Sequence, residues 1–238
     1  FVTPSQLGNF DSFEELFDHF PPMLSGYQPS FYLEDEKNED IDILHDERQR
    51  DRFLVKMLYI LMVKRLESSW FSFYSTVGKI KDHHQNALDK IKRYQDNKLS
   101  FDVNESEPNL FIDDELEDDY EELTLGKKRK VRLADIDASG NLDNFKSDLK
   151  KDLDALDNLY VNLQKFEAKV GKEVILPRNI KSDDDKLETL IAEILKKRKN
   201  RENNNNQKVV IFTVYRDTAQ NLFDQLKNRG FDKIAMVS

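Results

Sequence analysis

Two short stretches of this chain carry side chains whose types and spacing could do chemistry. One is Lys64-Arg65-Leu66-Glu67-Ser68-Ser69, a polar cluster between two apolar runs that ordinary helix packing does not explain. The other is Thr213 to Thr218 (TVYRDT), between the apolar run Val209-Val210-Ile211-Phe212 and a helical pattern. At a strand-to-helix turn, free backbone N–H groups and the helix dipole favour a phosphate. Ligands of open parallel sheets also sit off the carboxyl ends of their strands. On that ground Thr213, Tyr215, Arg216 and Thr218 are candidate nucleic-acid-binding residues. The competing structural role is that Asp217 or Thr218 caps the helix and Tyr215 packs.

Other charged groups point less sharply to a chemistry. Asp113, Asp114, Glu115, Asp118 and Asp119 could meet a cation, but they lack the glycine-punctuated spacing of a calcium loop. GKKRKVRL resembles a nuclear import signal or a phosphate-contacting patch, against the plainer role of neutralising the acidic run before it. His83 and His84 have no partner ligands at fixed spacing, which assigns them packing or surface roles rather than metal binding.

The elements that must position these groups are mostly helices. Residues 51–96 contain no proline and one glycine and read as one long helix. Its second half places Trp70, Phe73, Val77, Ile80, His84, Ala87, Ile91 and Tyr94 three or four apart, on a single stripe. Its first half is apolar nearly all round from Phe53 to Val63, so cover on several sides is expected. Leu142, Phe145, Leu149, Leu156, Leu159, Leu163, Phe166 and Val170 form a second stripe, with Asp152 at its one polar turn. An antiparallel hairpin of the two buries both, and neither would be stable alone in water. Ser182 is expected to cap a further helix with an acidic first turn and a basic last turn, Lys196 to Lys199.

Before the long helix, a short helix from Ser12 to Phe20 is expected to stop at Pro21-Pro22. An extended segment follows, with Tyr27, Phe31, Tyr32 and Leu33 as anchors. The last thirty residues read as strand, helix and strand, with Gly230 ending the helix. The fold class is therefore mainly α, with long antiparallel coiled-coil-like helices and a C-terminal partial α/β unit. Residues 1–50 are a lead-in segment packed on a neighbour. Residues 51–180 form a helical region, its helices 51–96 and 142–170 joined by a solvated crossover, 97–141. Residues 181–238 begin the partial α/β unit.

Composition sets outer bounds. The 238 residues carry a formal net charge of −9 and only 38% hydrophobic side chains, a balance that suits helices with long solvated faces. The absence of cysteine excludes disulfides and zinc–cysteine sites and is compatible with a cytoplasmic location. No apolar run reaches membrane-spanning length, so no membrane partner is expected. The first residue is not Met and the last lie inside an apolar strand pattern, which suggests a piece of a larger protein.

KLETLIAEILKKRK, followed by QKVVIFTVYRDTAQNLFDQLKNRGFDKIAMVS, resembles the opening of the second RecA-like lobe in superfamily-two helicases. Upstream, FLVKMLYILMVKRLESSWFSFYSTVGKI resembles the K-R-L-E-S-S helix of bacterial Swi/Snf-like DNA helicases, which lies between the two lobes. The resemblance implies a fragment of an ATP-dependent DNA helicase or translocase, spanning the interlobe insertion and the start of the second lobe. It implies ATP and magnesium as cofactors of the parent protein, DNA (duplex) and both motor lobes of the same polypeptide as partners, and an arm open to a protein partner. It also implies that Lys64, Arg65 and Glu67 connect the lobes or touch DNA, against the structural alternative of an ion network within the helix. The chain has no G-x-G-K-T phosphate loop, no D-E-x-H motif and no Q-x-x-G-R motif, and so no catalytic residue. Phosphoryl transfer needs such parts, so the isolated chain is expected not to hydrolyse ATP. Two alternatives from other classes are a non-enzymatic coiled-coil interaction module and a truncated small α/β enzyme.

Overall fold

Apolar period decides where helices form in this chain, and polar caps decide where they stop. The computed structural model describes Phe10 and residues 13–34, 41–97, 131–170, 184–199 and 206–237. Its helices are α1 (Phe13–Asp18), α2 (Ile41–Ser68), α3 (Trp70–Asn97), α4 (Leu133–Ala138), α5 (Leu142–Val170), α6 (Asp185–Lys199) and α7 (Arg216–Asn228). Two 3-10 turns, Ser25–Tyr27 and Pro29–Tyr32, lie between α1 and α2. The fold is mainly α. The acidic run 113–119, Lys127 to Lys130, Ser182 and Asn203 to Asn205 lie outside the described residues.

The expected single helix over 51–96 is two helices. It starts earlier, at Ile41, and breaks at Ser69. The break has a local cause: the Ser69 hydroxyl accepts the backbone N–H of Ser72 at 3.0 Å, the N-cap geometry of a helix starting at Trp70. Neither proline nor glycine is needed. The cover expected around the first half is partial. Val55, Leu58 and Met62 are buried, whereas Phe53, Ile60 and Val63 are 49%, 48% and 43% exposed.

The chain divides into two compact units, one of Phe1–His19, Leu61–Thr76 and Asn158–Ser238, the other of Phe20–Ile60 and Val77–Asp157. In the second unit, α3 and α5 run antiparallel. Lys81 pairs with Asp157 at 3.0 Å, His84 faces Asp152, and Lys146 donates to Gln95 at 2.6 Å. Ala87 and Ile91 of α3 share a core with Leu142, Phe145 and Leu149 of α5 and with Val131, Leu133 and Ile136 around α4. The tail of the basic run is thus core rather than free cation: Val131 and Leu133 are buried, and Arg132 is paired with Asp135 at 2.8 Å. Gly140 (φ 70°) closes α4 in a Schellman turn, with Asn141 N–H donating to the Ile136 carbonyl.

The stretch expected to be extended is instead the pair of 3-10 turns, a strap folded onto this core. Tyr27 and Tyr32 are its buried anchors, and Phe31 and Leu33 pack partly against the core. Arg48 of α2 donates to the Ser30 and Leu33 carbonyls, and Asp51 accepts from the Ser30 N–H and hydroxyl. From α5, Asp148 accepts the Tyr32 hydroxyl at 3.0 Å. Burial pushes that hydroxyl's pKa well above the usual phenol value.

In the first unit, Phe17 of α1 meets Phe73 edge-on, and Tyr74 stacks on Tyr160. Leu187, Ile191 and Ile194 of α6 form a core with Leu226 and Phe231. The cap of α6 is Asp184, which accepts the Leu187 N–H at 3.0 Å. Its carboxyl pKa is raised, chiefly because the group is desolvated. Gly230 (φ 79°) follows the end of α7, and the C-cap residue Arg229, paired with Glu188 at 2.6 Å, ties α7 to α6.

The expected strand–helix–strand unit appears only as its helix. No strand forms among the described residues on either side of α7. A strand exists only where a neighbour completes its hydrogen bonds, and here Val210, Phe212 and Val214 lie 74%, 91% and 89% exposed.

Ser69→Ala is expected to cost about 1 kcal/mol through the lost cap. Phe145→Ala is expected to cost about 3–5 kcal/mol through the cavity it leaves. Urea unfolding measures both, and a Ser69→Ala protein as stable as the parent would mean that the cap does not hold the break.

Candidate functional site

The two stretches singled out for their chemistry meet in the first unit. Arg65 sits in the last turn of α2, and its Nη1 donates to Asp217 Oδ2 at 2.9 Å and to the Ser72 hydroxyl at 3.3 Å. Ser72, three residues into α3's first turn, donates in turn to Asp217 at 3.0 Å. The guanidinium lies over the Tyr215 ring, 4.6 Å from its centroid, a cation–π arrangement. Ser68 and Thr218 share a hydroxyl hydrogen bond of 3.1 Å. Residues flanking the helix break therefore hold the first turn of α7.

The break explains why the polar cluster exists. Ending α2 at Ser68 and capping α3 with Ser69 turns Arg65, Ser68 and Ser72 toward one place. At α7, Tyr215 stands at the N-cap position with no side-chain cap, and Asp217 Oδ1 instead accepts the Thr218 N–H at 2.7 Å. One carboxylate thus answers a free helix N–H, a hydroxyl and a guanidinium. Asp217 also stands in the turn where the helix dipole favours an anion.

Burial makes the pairing matter. The Arg65 and Asp217 side chains are 10% and 26% exposed, so neither charge is well solvated and each depends on the other. The cluster is a charge-paired latch, in which the Asp217 carboxylate takes both the Arg65 guanidinium and the Ser72 hydroxyl. Among the described residues, no group of three or more His, Asp or Glu side chains could hold a metal ion.

The nominated residues separate accordingly. Thr218 is buried and bonded to Ser68, and Tyr215 is half-buried under Arg65. Arg216 and Lys64 are exposed, and Thr213 is half-buried. Glu67 is exposed, and its backbone carbonyl accepts Lys186 Nζ from α6. Asp217, read from sequence only as a cap, is the hub: Ser72 bonds to it, Ser68 holds Thr218 and Ser69 caps α3. Sequence marked Ser68 and Ser69 only as part of the unexplained polar cluster, and Ser72 carried no signal of its own.

No protein-family model, curated protein or solved structure matches this chain.

A double-mutant cycle on Arg65→Ala and Asp217→Ala tests the latch. Bonds to charged groups are worth about 1.5–3 kcal/mol, so a coupling of that order is expected from urea unfolding. Coupling near zero would mean that the pair does not form in solution.

Proposed function

We propose that this chain is the interlobe insertion and the beginning of the second RecA-like lobe of a Swi/Snf-like, ATP-dependent DNA helicase or translocase. The carrying observation is the latch. The K-R-L-E-S-S stretch supplies Arg65 and Ser68, and the turn opening α7 supplies Tyr215, Asp217 and Thr218. A motor whose lobes move against each other needs a stiff element fixed to the lobe it serves. Arg65 gives such a fixed point at the turn where that lobe would meet the nucleic-acid backbone.

The exposed run Val209–Val214 adds support. Its i, i+2, i+4 set Val210, Phe212 and Val214 is apolar and uncovered, as expected of a sheet-core strand whose neighbours belong to the rest of the lobe. In that setting ATP and magnesium are held by other parts of the motor. Duplex DNA phosphates are met by Thr213 and Arg216, while Arg65 positions their turn through Asp217. Lys64 is the further exposed cation beside the latch.

The interaction-module reading is less favoured. In the second unit the α3 and α5 stripes cover each other, with Ile91, Phe145 and Leu149 all fully buried. Among the described residues these two stripes are therefore not left open for a partner.

The test is DNA-stimulated ATP hydrolysis by the complete natural reading frame. Stimulation by duplex DNA is expected, falling about tenfold or more in Arg65→Ala as its positioning contact is lost, a change of about 1.4 kcal/mol in the barrier. A complete protein without a phosphate loop, or without ATPase activity, would overturn the proposal.

A further inference from the structure

The second unit contains a polar layer that the motor reading does not use. His84 of α3 is wholly buried, and both its ring nitrogens have fixed roles. Nδ1 lies 2.8 Å from the Ile80 carbonyl, which can only accept, so Nδ1 carries the proton. Nε2 is then a lone pair, and it accepts the Gly26 N–H of the strap at 3.3 Å. Beside it, Asp152 of α5 accepts the Ser25 N–H at 2.6 Å, and its Oδ2 stands 3.7 Å from Nε2.

This arrangement suits a neutral imidazole only. A proton on Nε2 removes the acceptor for Gly26 and creates a donor facing Asp152. We propose that His84 and Asp152 form a proton-driven latch, in which protonation of the imidazole exchanges two strap bonds for one helix-to-helix ion pair and unseats Ser25–Tyr27. The proton comes from solvent and rests on Nε2; no other bond is made or broken covalently. The inference stands on the second unit alone and is independent of the motor reading.

The strap is built to leave. Leu24, just before it, is held at φ 54°, a left-handed conformation costly for a branched residue. His83 stacks on Tyr27 at 4.2 Å and its Nε2 lies 3.1 Å from the Gly26 carbonyl, so a second imidazole shares the same turn. The second half of the strap has separate anchors, Arg48 and Asp51 on α2 and Asp148 on α5. Release should therefore stop at Gln28.

The charged and titratable groups around His84 are few. From α5 come Asp152, with Asp148 and Lys151 nearby and paired to each other at 2.8 Å. From the strap comes Tyr27, its ring 5.7 Å away, and from α3 itself His83. Tyr59 of α2 feels the Asp152 charge; burial first, and that charge second, push its hydroxyl up to about 12. Burial pushes the His84 pKa down from 6.5 to about 4. The seated strap thus binds fewer protons than the released one, and its stability, full above pH 6.5, is lost as pH falls toward about 4. Burial raises the Asp152 pKa, an opposing effect that confines the exchange to pH values where Asp152 is still ionised.

Amide hydrogen exchange, expressed as protection factors between pH 7 and 4.5, tests this on the whole chain. Ser25 and Gly26 are expected to lose protection at least tenfold while Ile91 and Leu149 keep theirs. Equal loss at all four, or none at the strap, would overturn the proposal. In His84→Gln, whose amide oxygen can accept from Gly26 without titrating, strap protection should not depend on pH; wild-type behaviour there would overturn it. Should that variant fail to fold, Asp152→Asn keeps an acceptor for Ser25 but no anion for the imidazolium. Its release should move to lower pH, and an unchanged midpoint would count against the latch.

Discussion

A helix with one apolar stripe has to cover that stripe, and α3 and α5 answer this by facing each other within the second unit. The antiparallel register that results leaves little freedom elsewhere. It brings the polar position of one stripe, His84, opposite that of the other, Asp152. A polar layer inside an apolar seam is costly unless every group is answered. The strap answers it with two backbone N–H groups. The seat of residues 24–28, the neutral state of the imidazole and the raised carboxyl of Asp152 all follow from that one register.

The first unit solves a different electrostatic problem. Arg65 is too buried to be left alone, and Asp217 supplies its counter-charge from a residue 152 positions away. Because the carboxylate also satisfies a free N–H of α7, the ion pair and the helix start are one structure. Lys64 and Arg216, the sequence neighbours of the pair, are both exposed. Each stretch thus sets an exposed cation next to a member of the ion pair.

What the sequence made legible was periodicity. From Trp70 to Ile91 every position of the first stripe is buried, as are the described apolar positions of the second through Leu163. Breaks were not legible, because Ser69 interrupts a pattern whose apolar period runs on across it and contains no proline. Asp184, part of the acidic first turn read from sequence, accepts an α6 N–H group, while the expected cap Ser182 lies outside the described residues. The turns at Ser25–Tyr27 and Pro29–Tyr32 follow no side-chain period, since their contacts are set by what they lie on. The strands around α7 were read from a real apolar pattern, but a strand is a property of two backbones. Both 206–214 and 231–237 are described, and neither forms a strand there. The Arg65 cluster was half legible: its stretches stood out as unexplained, while their meeting depends on tertiary folding that no local rule contains.

Gly26 ties distant parts of the chain into a single unit of sequence change. A β-carbon at that position would lie 3.1 Å from the His83 ring and 3.2 Å from His84 Nε2, closer than packed carbons ordinarily come. Any larger residue there would need one of the two imidazoles to shift by a few tenths of an ångström. A side chain at position 26 is thus coupled to the space at positions 83 and 84, and a smaller residue at 84 removes the acceptor of the Gly26 N–H. The effect of a substitution at any one of these sites therefore depends on what occupies the other two, so the strap and the helix pair beneath it constrain each other's divergence.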